Sequence, residues 1–189
     1  MKLNQLEKQL NKIISKMPRR KKIQKIVGVE HDELIYSVKK HFIDSTSEGP
    51  WWKNFRYSNF RVTLPDEEGK FLQDMFRFSR SDSHKKLLKE IIPLKTNVQV
   101  WLFIGDSVTE NFIIFKGPLR VMKNFLFDCI DQLGEYYLIP INFTWIICEN
   151  PEGKIFVVGT YLINLLENLT NKFLWKRRIL NTELEQKKI

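Results

Sequence analysis

The chain has 189 residues, of which 43% are hydrophobic, 13% aromatic and 28% charged. That is enough apolar material for one buried core and too much for a chain disordered throughout. The longest stretch without a charge is the 13 residues from Tyr136 to Cys148, interrupted by Pro140, so no segment reads as a membrane-spanning helix and integral membrane association is not expected.

Two cysteines do not make a disulfide framework, and the first residues lack the apolar core of a secretory signal. The expected location is therefore the cytoplasm. The formal charge of +9 is unevenly spread, with +8 in residues 1–25, +1 in 26–97, −3 in 98–160 and +3 in 161–189. The excess belongs to the N-terminal segment rather than to the body.

In chain order, Leu3, Leu6, Leu10, Ile13 and Met17 recur at alternating spacings of 3 and 4, which places them on one stripe of a helix. Pro18 breaks the pattern, and Lys16, Arg19, Arg20, Lys21, Lys22 and Lys25 put six positive charges into ten positions. Residues 1–25 thus read as a basic amphipathic helical arm on a single α+β domain at 26–189. A second helix is expected over Asp32–Phe42, with Leu34, Ile35, Val38 and Phe42 on one face and a close at Ser45–Pro50.

Between Trp51 and Phe78 the aromatics Trp51, Trp52, Phe55, Tyr57, Phe60, Phe71, Phe76 and Phe78 follow no clean period. The segment reads as irregular, with a short helix near Glu68–Met75. Ser81, Asp82 or Ser83 suits the cap of a helix holding Leu87, Leu88, Ile91 and Ile92 up to Pro93.

Strands follow. Val98–Ile104 and Asn111–Lys116 are rich in β-branched and aromatic residues around a loop at 105–110, as in an antiparallel hairpin. Pro118 opens a helix with Leu119, Met122, Leu126, Cys129 and Leu133 on its stripe, ended by Gly134. Strands at Glu135–Ile139, Asn142–Glu149 and Lys154–Val158 complete a β-β-α-β-β-β order over residues 98–160. The fold class expected is α+β with a mainly antiparallel sheet, flanked by N- and C-terminal helices. The C-terminal segment, 161–189, carries Leu162, Leu165, Leu166, Leu169 and Phe173 before Trp175-Lys176-Arg177-Arg178, and Thr182 with Glu185 has capping-box spacing.

Val100-Trp101-Leu102-Phe103-Ile104, Phe115-Lys116-Gly117, Tyr136-Tyr137-Leu138-Ile139 and Trp145-Ile146-Ile147-Cys148-Glu149-Asn150 together resemble a family of small uncharacterised bacterial proteins. In that family a sheet-forming core ends in a Trp-Leu-x-Cys-Glu-Asn-like strand before a hairpin, matched here by Trp145, Cys148, Glu149 and Asn150. The resemblance spans residues 98–160 and leaves the basic arm and the C-terminal helix outside. It implies a toxin-immunity or other partner-binding protein of a defence locus, with Glu149 and Asn150 on a recognition surface or holding the hairpin.

Recognisable catalytic arrangements are missing from the sequence. Cys129 and Cys148 fall on apolar faces, where burial would raise a thiol pKa, and no close Cys/His cluster suggests a metal. Ser79–His84 contains the letters of a hydrolase triad, but adjacent residues do not converge as a triad does. The eight glycines stand singly, without a nucleotide-cradling motif. No catalytic residue, metal or cofactor is expected.

Two binding surfaces remain as candidates. The expected activity is stoichiometric binding of a protein partner, an acidic one suiting the arm. The alternative is nucleic-acid binding by the arm together with Trp51, Trp52, Lys53, Arg56 and Arg61, where aromatic and basic residues interleave as in single-strand grooves. The same aromatics equally suit a core.

Overall fold

A computed structural model describes residues 3–18, 22–44, 48–56, 85, 88–92, 98–162, 164–165 and 168, and the backbone of 59–62. Expected features at Glu68–Met75, Ser79–His84, Thr182–Glu185 and Trp175–Arg178 lie outside these residues, as do Arg19, Arg20, Lys21 and the side chain of Arg61.

The described chain is α+β. Helix α1 is Leu3–Lys16, strand β1 is Gln24–Ile26, helix α2 is Val29–Phe42, and a 3-10 turn covers Trp51–Lys53. Strands β2 (Asn59–Val62), β3 (Gln99–Asp106) and β4 (Asn111–Pro118) lead into helix α3 (Leu119–Cys129). Strands β5 (Tyr136–Pro140), β6 (Ile146–Glu149) and β7 (Ile155–Val158) follow. All seven strands form one antiparallel sheet in the order β1-β4-β3-β5-β6-β7-β2.

The expected β-β-α-β-β-β unit is the middle of this sheet, and both edge strands are additions to it. The strand β2 sits in the stretch read as irregular, and β1 lies just after the basic run. Helix α2 begins three residues before its expected start, at Val29, and Pro118 caps α3 from outside with extended backbone instead of opening it.

Helices cover both faces of the sheet. Val100, Leu102, Ile104, Phe115 and Leu138 pack toward α1, α3 and the helical residues 88–91. Phe103, Ile114, Tyr137, Ile139 and Cys148 pack toward α2 and Trp51. Alternate residues of a strand point to opposite faces, so a strand covered on both sides must be apolar at successive positions. This is why Leu102, Phe103 and Ile104 are all buried.

The stripe of the expected arm belongs to this core. Leu10 is 0% and Leu6 8% exposed, with Leu3, Ile13, Ile14 and Met17 packed around them. A boundary at residue 25 cuts through β1, whose Lys25 pairs with Phe115 of β4 in register and whose ammonium meets Glu7 of α1. The described part of residues 1–25 is thus a helix and an edge strand of the body, because its apolar face has a core to bury itself in.

The β3–β4 hairpin closes tightly. Asp106 accepts hydrogen bonds from the Val108 amide at 2.9 Å and the Thr109 hydroxyl at 3.0 Å. At Gly105, with φ +154°, an added Cβ would stand 2.1 Å from the Asn111 carbonyl oxygen, so the approach of the two strands there requires glycine.

Candidate functional site

The described aromatics of the segment expected to stack on nucleic-acid bases, Trp51, Trp52 and Phe55, pack against the core. Trp51 is 2% exposed. Its ring lies 4.9 Å from that of Phe112, 5.3 Å from Tyr137 and 6.1 Å from Phe103, and its amide donates to the Ser107 hydroxyl at 3.2 Å. No base can reach it. Trp52 is half-buried, 5.7 Å from Phe156, with the Lys53 ammonium 5.2 Å from its ring centroid. Arg56 donates to the Ile43 carbonyl at 3.2 Å.

This segment packs on the α2 face, whereas α1 and Lys16 belong to the opposite face. Lys25 is on β1, at one edge of the sheet, and Phe156, under Trp52, is on β7 near the other edge. Among the described residues, Lys16 and Lys25 are therefore not brought together with Trp51–Arg56.

Asn150 is likewise removed from any recognition surface. It is 1% exposed, and its side-chain oxygen accepts from the Lys154 amide at 2.8 Å and the Glu152 amide at 3.1 Å, which shapes the turn between β6 and β7. Glu149 is half-buried and accepts from the Tyr136 hydroxyl at 3.0 Å.

Both thiols are buried. Burial, with a smaller contribution from Asp128, pushes Cys129 up to about 12, and burial pushes Cys148 well above the ordinary thiol range. Neither is poised as a nucleophile. Labelling with a maleimide without denaturant is expected to leave both unmodified over hours, and rapid modification of either would contradict this packing.

One polar cluster lies near Cys148. Glu135, 6% exposed, accepts from the Tyr137 hydroxyl at 2.5 Å, and its carboxyl is pushed up by burial against the opposing hydrogen bonds of Ser107 and Tyr137. Ser107 and Tyr137 are themselves buried. Together with the Ser107–Trp51 bond, the cluster ties the β3–β4 turn, β5 and the 3-10 turn to one another. Closed on all sides, it serves packing rather than access.

An open groove lies on the other face, where the C-terminal end of α1 meets α3 and the helical residues 88–91. It has a volume of about 560 Å³ and is lined by Ile13, Lys16, Met17 and Pro18, by Lys85 and Lys89, and by Asn124, Phe127 and Asp128. Lys16 and Lys89 are exposed. Lys85 is held by Asp131 at 2.5 Å.

Lys123 stands beside the groove, donating to the Lys89 carbonyl at 2.9 Å. Burial lowers its ammonium pKa, Glu90 opposes the shift and Lys89 adds to it. The Lys89 and Lys123 ammonium groups lie 5.9 and 5.7 Å from the Phe127 ring centroid. Among the described residues no group of three or more His, Cys, Asp or Glu is placed to hold a metal.

Of the residues expected to bind, the groove holds Lys16, and from Pro18 on its wall the chain runs straight into Arg19-Arg20-Lys21-Lys22. Lys85, Lys89, Lys123 and Phe127 were not legible as a site. Phe127 is the one residue with a signal, an aromatic lying off the apolar stripe of its helix.

A family of unknown function, DUF6756, matches residues 4–170. The chain belongs to this family. The DUF6756 match takes in α1 and β1, well beyond the 98–160 span of the resemblance seen in the strands. No curated protein and no solved structure matches the chain. Among the described residues, no helix is long and apolar enough to cross a membrane.

Proposed function

We propose that this DUF6756 protein acts by stoichiometric binding of an acidic protein through the groove at the C-terminal end of α1, without chemical turnover. The observation that carries the reading is that exposed Lys16 and Lys89 line one groove, with Lys16 followed closely in sequence by Arg19–Lys22. The hydroxyl- and thiol-bearing side chains clustered in the fold, Ser107, Tyr137 and Cys148, are buried, which supports a binding role over a catalytic one. A cytoplasmic setting belongs to the same proposal, supported by two unpaired, buried cysteines. An immunity or defence complex as the setting rests on the strand resemblance alone.

The test is a titration of the full chain with fluorescent poly-glutamate at low and at physiological salt. Binding is expected to weaken as salt rises. Lys16→Glu combined with Lys89→Glu is expected to weaken it by about tenfold or more, since like charges then face the ligand. Both positions are exposed, so a thermal melt of the double variant should stay close to that of the parent. No binding at low salt, or binding unchanged in the double variant, would overturn the proposal.

A further inference from the structure

The groove has a feature that attraction of charge alone does not use. Alongside its lysines the groove has an apolar lining, made by Ile13 and Met17 at the α1 end and Phe127 of α3, each only partly buried by the fold. A wall of this kind gains nothing from a hydrated carboxylate but does gain from an apolar side chain set on it.

Methionine adapts its shape to varied partners. The groove's volume of about 560 Å³ lies in the range that takes compact ligand groups. The Lys89 and Lys123 ammonium groups lie within 5.9 Å of the Phe127 ring centroid, so cations border this apolar surface.

Resting on the proposed binding role, we infer that the groove recognises a polypeptide segment in which one large apolar side chain is flanked by carboxylates. The apolar side chain seats on Ile13, Met17 and Phe127. The flanking carboxylates meet Lys16 and Lys89 of the same groove lining. The partner is thus defined by an anchor between charges rather than by charge density.

Three labelled probes distinguish this from its alternatives, each titrated by fluorescence anisotropy into the full chain at physiological salt. One is a short synthetic peptide of Glu and Asp with a single central Phe, the second is the same peptide with Ser for Phe, and the third is an oligothymidylate. The Phe peptide is expected to bind about tenfold more tightly than the Ser peptide, as burying an aromatic side chain predicts, and more tightly than the oligonucleotide. Met17→Ser should shrink the difference between the two peptides. Because the main comparison changes the probe and not the protein, loss of folding cannot mimic the result. Equal affinity for the two peptides would overturn the anchor while leaving the acidic-partner reading in place. Preference for oligothymidylate would overturn both, as would the absence of binding by all three.

Discussion

Deletion of residues 1–25 is expected to abolish the cooperative thermal transition, or to lower Tm by well over 10 °C. Leu6 and Leu10 are buried in the core under α3, and Leu3, Ile13, Ile14 and Met17 pack against them. Burial of the two leucines alone is worth about 3–6 kcal/mol, a large share of the roughly 5–15 kcal/mol by which domains are stable. The deletion also removes Gln24 and Lys25 from β1, which uncovers the edge of β4 along Phe115 and Lys116. A graded version is Leu10→Ala, expected to cost about 2–5 kcal/mol. A truncated protein that melts within a few degrees of the full chain would show that the helix is an appendage after all.

Trp51→Ala is the second large effect. The ring fills the space between Phe103, Phe112 and Tyr137 on the α2 face, and such a deletion costs about 3–5 kcal/mol. For a chain of this size that corresponds to a fall in Tm of roughly 6–20 °C. The backbone bond from Trp51 to Ser107 holds the 3-10 turn on the β3–β4 turn, so loosening should spread to the hairpin. Trp52→Ala, at a half-buried position against Phe156, is expected to fall well short of it. Equal losses at the two positions, or a loss of nucleic-acid binding with no change in Tm at Trp51, would contradict the assignment of Trp51 to the core.

The particular elements show what a sequence can and cannot reveal here. The central strands were legible because both faces of the sheet are covered: Val100–Ile104 and Phe112–Phe115 are apolar at nearly every position, and no helix pattern competes. Helix α3 was legible for the opposite reason, a clean stripe of Leu119, Met122, Leu126 and Cys129. The edge strands escaped. In β1 only Ile26 of three residues is buried, so Gln24 and Lys25 look like the continuation of a basic run. Its strand character comes from pairing with β4, a long-range interaction that leaves no periodic trace.

The N-terminal segment turns on a different link. Its stripe and its charge are both legible in the sequence, yet helical periodicity says that a face will be buried, not against what. Only the packing of α1 beside α3 decides between a docking helix and a core helix. The groove escaped for a related reason. Lys16, Lys85, Lys89 and Phe127 are spread over more than a hundred positions of sequence, and three helical segments converge to bring them together. Asn150 reads as a possible surface residue in the sequence, but its side chain is buried and accepts two backbone hydrogen bonds in the turn it opens.

The most direct measurement of the central claim is an amide hydrogen-exchange footprint of the full chain with and without saturating poly-glutamate at low salt. Binding at the groove predicts added protection at the last turn of α1 and along residues 124–128 of α3, which supply Lys16 and Phe127, with little change at Trp51–Arg56. Protection confined to residues 51–62, or no protection anywhere despite saturation, would contradict it.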